Sequence, residues 1–441
     1  MRRRTTTVIG AAVAASFLLA SCGGGSTPDA QDTQGTSTEP AAGDAVDLTF
    51  WAWDPGMDKL VDAWNADHPE IQVKLENPAG GDELVTKMIT AHKAGNGPDI
   101  GKIEYQSLPS LISAGAVVPI DDYIGDIDDA YPDNVWTLTR FDGQTYGLAQ
   151  DFAPLMFYYR ADIFDELGLT VPTTWDEYRQ VAEQLRAARP DTYLGAFSSG
   201  DPGWFTGLVQ QKGGNWWSYA DSKWTVAIDD QATQDVTDYW QGLINDDLIA
   251  KGPFWTPEWS KSMDDGTIAS WICGAWAAAQ IGGIAPSGTG KWAMAPLPNW
   301  DGSDQTGIWG GSAMSVMADS KHPKEAAEFI TWLNTDPAAL ALQISDIGVY
   351  PAATAGRSLP ELATPPAFFP NQPDYYDVVS KAADVTRSFD VWGPNANVTF
   401  NAYKDGFASA LQNGTPMVDA LPEMQKTSVD DLTKLGINVA G

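Results

Sequence analysis

Alternation of apolar and polar residues begins at Val46 and predicts the first strand of the folded chain. From Val46 to Trp53 every second residue is apolar and shares one face, while Trp51 and Trp53 share the other face at the carboxyl end. Asp54-Pro55 follows as a predicted N-cap and first-turn pair. Apolar residues at helical spacing from Met57 to Trp64 then predict a helix.

The same succession repeats further along the chain. Ile71–Leu75 alternates like a strand and Leu84–His92 carries a helical apolar stripe, so a parallel βαβ unit is expected. Later boundaries are a strand exit at residues 98–100, a helix end at 111–115, a capping box at Thr174 and Glu177, and helix starts at Pro323 and at Asp336-Pro337. The predicted fold class is α/β, in which ligands bind at the carboxyl ends of the strands.

A different pattern precedes the first strand. Arg2–Arg4, the apolar run Val8–Leu19 and Leu19-Ala20-Ser21-Cys22 predict a lipoprotein export signal over residues 1–22, with Cys22 carrying the lipid. An ordinary cleaved signal with an incidental cysteine is the alternative. Residues 23–45 are rich in Gly, Ser, Thr and Pro and are interpreted as a flexible tether. Both alternatives predict a protein that acts outside the cytoplasm. If Cys22 is lipidated, the protein is held at the outer face of the cell membrane.

Length, charge and cysteine content narrow the function classes. The chain has 441 residues, too many for one core, and two lobes are therefore expected. Its net charge of −32, from 58 acidic and 26 basic residues, disfavours nucleic acid and anionic lipid surfaces as partners. With Cys22 lipidated, Cys273 has no disulfide partner and is interpreted as a small buried residue.

Tryptophan is unusually frequent. The 19 Trp outnumber the 15 Phe and the 14 Tyr. An indole presents a flat apolar face with an N–H at its edge, which suits the C–H faces and hydroxyls of a sugar ring. Roughly half of the indoles are expected in the core. Trp216, Trp217, Trp224, Trp240 and Trp332 are expected to serve core or surface packing.

Nine short motifs in a fixed order resemble the extracellular solute-binding proteins of carbohydrate ABC importers, the maltose-binding-protein-like class. They are Phe50–Asp54, Gly97–Ile100, Tyr146–Asp151, Tyr158–Phe164, Leu169–Glu177, Gly274–Trp276, Gly310-Gly311, Ser320–Ala327 and Gly348–Pro351. The resemblance runs from about residue 46 to the C-terminus. It implies the type II periplasmic-binding-protein fold, with two discontinuous α/β lobes joined by hinge strands around a ligand cleft. The implied lobes are 46–150 with 309–355 and 151–308 with 356–441.

The resemblance also implies which residues hold the sugar. Carried over one at a time, they are Trp53, Asp54, Glu104, Gln106, Asp151, Asp201, Trp204, Trp276, Trp309, Gly310, Gly311 and Trp392, with Asn395 as the alternative to Trp392. Ile103 departs from the pattern, since maltose-binding proteins place a stacking tryptophan there. No metal and no cofactor are implied. A carboxylate accepts several hydroxyl hydrogen bonds, and this chemistry fits a neutral sugar.

Some of these residues have a plainer interpretation. Asp151 could cap the hinge or form an ion pair, Asp201 could start the turn before Pro202, and Trp276 could belong to the core. Asp99 is expected to fix its loop rather than to contact ligand.

Two rival functions stay open. A glycoside hydrolase would also be exported, acidic and rich in Trp, but would need two carboxyl groups at a set separation. A binding protein for a polyamine or another cation would use the same acids with aromatic cage walls. The predicted function is the substrate-binding component of an ABC importer for a neutral di- or oligosaccharide, without catalysis. It would act as a monomer with two membrane permeases and a cytoplasmic ATPase.

Overall fold

The computed structural model describes residues 45–300 and 302–440, and its strands form five sheets. The strands are β1 Val46–Trp51, β2 Ile71–Glu76, β3 Ile100–Glu104, β4 Arg140–Phe141, β5 Gln144–Thr145, β6 Leu148–Asp151, β7 Leu155–Arg160, β8 Ala196–Phe197, β9 Trp217–Ala220, β10 Lys223–Val226, β11 Ala250–Lys251, β12 Ser270–Gly274, β13 Trp292–Pro296 and β14 Ser312–Val316.

Helices surround these strands. They are α1 Met57–Asp67, α2 Gly81–Ala94, α3 Leu108–Ser113, α4 Asp121–Ile124, α5 Asp133–Trp136, α6 Ala161–Leu167, α7 Trp175–Ala188, α8 Pro202–Lys212, α9 Gln231–Asn245, α10 Pro257–Asp265, α11 Ala277–Ile284, α12 Pro323–Thr335, α13 Pro337–Leu342, α14 Tyr375–Asp384, α15 Ala396–Asn413 and α16 Leu421–Lys434. Within the described ranges, no helix combines the length and the apolar character needed to cross a bilayer.

Two sheets organise the fold. The larger has the strand order β2-β1-β3-β14-β6, with β1 parallel to β2 and β3, and with β14 antiparallel to β3 and β6. The smaller has the order β12-β7-β13 and is antiparallel. The predicted β1-α1-β2 unit and its parallel pairing are therefore confirmed.

The chain passes between these sheets at neighbouring places. Strands β6 and β7 are consecutive but belong to different sheets, and so are β13 and β14. The connecting segments are hydrogen-bonded to each other: the Leu155 N–H donates to the Gly307 carbonyl (2.8 Å), and the Trp309 N–H to the Ala153 carbonyl (3.1 Å). A third segment joins them, because the Phe152 N–H donates to the Tyr350 carbonyl (3.0 Å). Three chain segments are thus linked by hydrogen bonds, and two of them pass from one sheet to the other.

Several local predictions have a definite outcome. The capping box is confirmed on its first half, since the Thr174 side chain accepts from the Glu177 N–H. The helix starts at Pro323 and Pro337 are also confirmed. The N-cap assigned to Asp54 is wrong, because α1 begins after Gly56 and the Asp54 carboxylate is paired elsewhere.

The interpretation of residues 98–100 as a strand exit is also wrong, because this segment leads into β3. Asp99 fixes its loop as expected: its carboxylate accepts from the Thr49 N–H (2.8 Å) and from the Ser320 hydroxyl (2.7 Å). Cys273 is fully buried, as expected. Of the five tryptophans expected to serve packing, Trp332 is partly buried against the core. The other four are buried: Trp216, Trp217, Trp224 and Trp240. The export signal, Cys22 and the tether up to residue 44 lie outside the described residues.

Candidate functional site

A cavity of about 300 Å³ lies where the parallel strands of the larger sheet end. The turn after β1 and the end of β3 form one side, and Trp255, Trp276 and the start of α11 form the other. Eight of the residues implied by the family resemblance line it: Trp53, Asp54, Glu104, Asp151, Trp276, Trp309, Gly310 and Gly311. Its position at the carboxyl ends of parallel strands is the one expected for ligands in α/β proteins.

An ion pair forms part of the polar wall. The Lys102 ammonium donates to both carboxylate oxygens of Asp54, and the two side chains are only 3 and 9 % exposed. The same ammonium lies 4.5 Å from the centre of the Trp53 ring. The sequence analysis missed Lys102. A lysine inside the apolar strand Ile100–Glu104 is the signal that points to it, because a buried lysine needs a charged partner.

Asp151 connects the cavity to the crossing segments. One carboxylate oxygen, Oδ1, accepts from the Ser312 N–H (3.0 Å) and the Ser312 hydroxyl (2.7 Å). Its backbone carbonyl accepts from the Tyr105 hydroxyl (2.7 Å). Burial is the main cause that raises the pKa of Asp151, and the Lys102 charge and the Ser312 hydrogen bonds oppose it. Within the part of the chain that the structure describes, Oδ2 has no hydrogen-bond donor, so it is available to a ligand.

Glu104 ends β3 and faces the same cavity. Its Oε2 accepts from the Gln106 side-chain amide (2.7 Å). Burial, followed by the nearby charges of Asp82 and Asp151, raises the pKa of Glu104 to about 7, while the Lys102 charge and the Gln106 hydrogen bond act in the opposite direction. Near neutral pH this carboxyl group therefore exchanges between a hydrogen-bond donor and a charged acceptor.

Gln106 and Trp392 line a smaller adjoining cavity of about 30 Å³ rather than the main one. Glu104, Trp309 and Gly310 face both cavities and separate them. Asn395, the alternative to Trp392, is buried and donates to the Ser428 carbonyl (2.9 Å), so it belongs to the packing between α15 and α16.

Indoles form the apolar wall. The Trp276 indole N–H donates to the Trp309 carbonyl (2.8 Å), and the two rings meet edge to face with centroids 5.1 Å apart. Gly310 and Gly311 follow with φ values of 82° and 88°. A Cβ at Gly310 would lie 2.9 Å from the Trp276 ring nitrogen, and one at Gly311 2.5 Å from the Tyr105 ring. Only glycine fits this approach of backbone to aromatic rings.

Two implied residues lie behind the wall. Trp204 is 1 % exposed and packs edge to face against Phe197 and Phe254, so the structure places it in the core and not in the cavity. The Asp201 carboxylate accepts from the Ser198 hydroxyl (2.6 Å) and from the Trp255 indole N–H (3.0 Å). Asp201 therefore reaches the cavity only through Trp255, a lining residue that the sequence analysis missed.

Comparison with known proteins identifies the family. A sequence model described as bacterial extracellular solute-binding protein matches residues 52–340. The chain belongs to this family. One relative of this solute-binding protein is the arabinooligosaccharide-binding protein of Halalkalibacterium halodurans, 26 % identical over 310 residues, which are 65 % of this chain and 67 % of the relative.

Solved structures agree with this membership. The galacto-N-biose-/lacto-N-biose I-binding protein of the ABC transporter from Bifidobacterium longum, in complex with lacto-N-biose, superposes with a TM-score of 0.81 and 28 % identity, covering 90 % of this chain and all of that one. The ABC transporter associated binding protein from B. animalis subsp. lactis, in complex with β-1,6-galactobiose, gives a TM-score of 0.80 and 25 % identity over the same shares. The predicted two-lobe type II fold and the solute-binding role are therefore confirmed for this solute-binding protein. These relatives are binding proteins and not enzymes.

Proposed function

We propose that this protein captures a neutral di- or oligosaccharide outside the cell and delivers it to the permease of an ABC importer. The observation that carries this proposal is the cavity, which is lined by the indoles of Trp276 and Trp309 and by the carboxyl groups of Glu104 and Asp151, beside the Asp54 carboxylate that pairs with Lys102. Carboxylates accept hydrogen bonds from sugar hydroxyls, and indoles cover the apolar faces of sugar rings. The saccharides bound by the family members named above support the same ligand class.

The two lobes are proposed to comprise residues 46–150 with 309–355, and 151–308 with 356–441. The three hydrogen-bonded crossing segments would then be the hinge. Trp53 and Glu104 would belong to one lobe, and Trp255 and Trp276 to the other. A ligand that touches both walls binds the closed arrangement more tightly than the open one and therefore shifts the population toward closure. The importer would then recognise the closed form.

The remaining features of the proposal concern the chain outside the cavity. Residues 1–22 would be an export signal, Cys22 the lipid attachment site and residues 23–45 the tether to the outer face of the cell membrane. The partners would be two permease subunits and a cytoplasmic ATPase, and the protein itself would be a monomer without catalytic activity. Replacing Cys22 by Ala should release the protein from the membrane into the medium. Continued membrane attachment of C22A would contradict the anchor.

A cationic ligand is the second candidate, and one observation favours it. Lys102 is the one cation among the cavity-lining residues, against the carboxylates of Asp54, Glu104 and Asp151. An excess of buried acid would suit a polyamine held between aromatic walls. Binding of a cation weakens as ionic strength rises, whereas binding of a neutral sugar does not.

A thermal-shift screen with neutral mono-, di- and oligosaccharides, and with spermidine and putrescine, tests the proposal. A ligand at 100 times its Kd stabilises the folded state by about 2.7 kcal/mol, enough for a measurable rise in Tm. The proposal predicts a rise with one class of saccharide, recovered chemically intact. Recovery of a cleaved sugar would indicate a glycoside hydrolase. A rise in Tm with polyamines alone would show that the ligand is a cation and not a saccharide.

A further inference from the structure

Glu104 is a carboxyl group that two cavities share. It ends β3 and lines both the main cavity of about 300 Å³ and the adjoining one of about 30 Å³. Its Oε2 accepts from the Gln106 side-chain amide (2.7 Å). Within residues 45–300 and 302–440, no second donor reaches this carboxyl group. As a carboxylate it would therefore carry a charge that one neutral amide stabilises.

The larger sheet places a second carboxyl group near Glu104. Ser312 of β14 is the register partner of Glu104 on β3 and of Asp151 on β6. The two acids therefore flank Ser312 on neighbouring strands, with Cα atoms about 10 Å apart, which is two strand spacings. The N–H and the hydroxyl of Ser312 both donate to Asp151. Ser312 thus stabilises the charge of Asp151 and not that of Glu104.

A third carboxyl group approaches from α2. Gly81 and Asp82 begin this helix, and a Cβ added at Gly81 would lie 3.8 Å from Glu104 Oε2. The Oδ1 atom of Asp82 is buried and has no hydrogen-bond partner among the described residues. Asp82 does not line the main cavity. It therefore acts on Glu104 through its charge and not through a shared ligand.

Two lysines lie near these acids. The Lys102 ammonium donates to both carboxylate oxygens of Asp54, which is its ion-pair partner. Lys404 of α15 acts on Asp82 through its charge but forms no ion pair with it in the part of the chain that the structure describes. The cations thus leave the carboxyl groups beside the cavity with an excess of negative charge.

This excess makes the charged form of Glu104 unfavourable. Burial, followed by the charges of Asp82 and Asp151, raises the pKa of Glu104 to about 7, against the Lys102 charge and the Gln106 hydrogen bond. A ligand in the main cavity would displace water from this carboxyl group, which disfavours the charged form further. The protonated group can still donate one hydrogen bond to a sugar and accept another. Ligand and proton therefore favour the same state.

We propose that the saccharide binds the form of the cavity in which Glu104 is protonated, so that binding takes up a proton and weakens in alkaline solution. This inference rests on the proposed saccharide-binding function. From the pKa of about 7, the protonated fraction of the free protein falls from about nine tenths at pH 6 to about one tenth at pH 8. The Kd should therefore rise about tenfold between these two pH values.

Isothermal titration calorimetry of the full chain tests this proposal with β-1,6-galactobiose, arabinobiose and maltose, none of which titrates in this pH range. For the disaccharide that the wild-type protein binds, we expect the Kd to be about tenfold higher at pH 8 than at pH 6. Titrations at pH 8 in phosphate and in Tris, whose ionisation enthalpies differ, give the number of protons exchanged. Uptake of about one proton per bound ligand is expected.

Three variants assign the effect to Glu104. Glu104→Gln carries no charge at either pH, so its Kd should change less than about twofold between pH 6 and pH 8. Asp82→Asn removes a neighbouring charge and should shift the loss of affinity to lower pH. His92→Gln is the matched control. Histidine ordinarily titrates in this range, but His92 lies beside Asp319 and outside the cavity, so this variant should keep the full pH dependence.

Three results would overturn the inference. They are a wild-type Kd that is the same at pH 6 and pH 8, a binding heat at pH 8 that does not depend on the buffer, and a full pH dependence in Glu104→Gln. Failure of the wild-type protein to bind any of the three disaccharides at either pH would contradict the proposed function instead.

Discussion

Lys102 of β3 and Asp54 of the turn after β1 form an ion pair in the wall of the cavity, although the two residues are separated by 48 positions. Each side chain is less than a tenth exposed. The pair leaves the carboxylates of Glu104 and Asp151 as the acceptors for ligand on that side of the cavity.

Breaking this pair on one side should destabilise the protein more than removing both charges. Lys102→Met leaves the buried Asp54 carboxylate without its cation, and Asp54→Asn leaves the buried Lys102 ammonium without its anion. Each single variant is expected to lower the unfolding free energy by about 3 kcal/mol. The double variant removes both charges and should cost clearly less than the sum of the two. Urea unfolding of the four proteins gives the coupling energy. Additive losses would show that the pair contributes nothing beyond its separate side chains.

Asp151 should affect both affinity and stability, whereas Trp276 should affect mainly affinity. Asp151→Ala or Trp276→Ala is expected to weaken the bound saccharide by about 1 to 3 kcal/mol. Asp151→Ala also removes the acceptor of both Ser312 hydrogen bonds, so its unfolding free energy should fall by about 1 to 2 kcal/mol. Titration calorimetry and urea unfolding measure the two effects. Ser312→Ala is the control that removes the hydroxyl hydrogen bond and keeps the carboxylate. Unchanged affinity in both alanine variants would contradict the assigned site.

Gly311 should tolerate no side chain. Its φ of 88° already disfavours other residues, and an added Cβ would lie 2.5 Å from the Tyr105 ring. Gly311→Ala is therefore expected to lower the unfolding free energy by about 3 kcal/mol, from backbone strain together with overpacking. Gly115→Ala is the matched control, because Gly115 has a φ of 67° but no atom within 4 Å of an added Cβ. It should cost about 1 kcal/mol, and equal losses in both variants would exclude the steric contribution.

Local patterns predicted the parts of the fold that depend on neighbours in sequence. The alternation in Val46–Trp53 and the helical stripe after it gave β1 and α1, because one buried face fixes each period. The start of α1 was misplaced, since the Asp54 carboxylate pairs with Lys102, a partner 48 residues away. No local pattern reveals such a partner.

The candidate site was also predicted only in part, because local patterns do not reveal contacts between residues far apart in the sequence. The ordered motifs led to eight residues that line the cavity, but they also led to Trp204, whose indole points into the core. Motif position says which segment approaches a site, whereas burial of a side chain depends on what packs around it. Trp255 was missed because it lies outside the ordered motifs and its indole N–H donates to Asp201, a partner 54 residues earlier in the chain.

Stability should fall as the pH rises through the titration of Glu104. The unfolded chain releases this proton near the ordinary pKa of 4.5, whereas burial, Asp82 and Asp151 raise the pKa in the folded protein to about 7. Between these values the folded state binds more protons than the unfolded state, so the unfolding free energy decreases with rising pH. Burial also raises the pKa of Asp82 and Asp151, which contributes in the same direction. Glu104→Gln removes one titrating group, keeps the shape of the side chain and should flatten the decrease between pH 4.5 and 7. Urea unfolding across this range compares the two slopes, and identical slopes would show that Glu104 titrates normally in the folded protein.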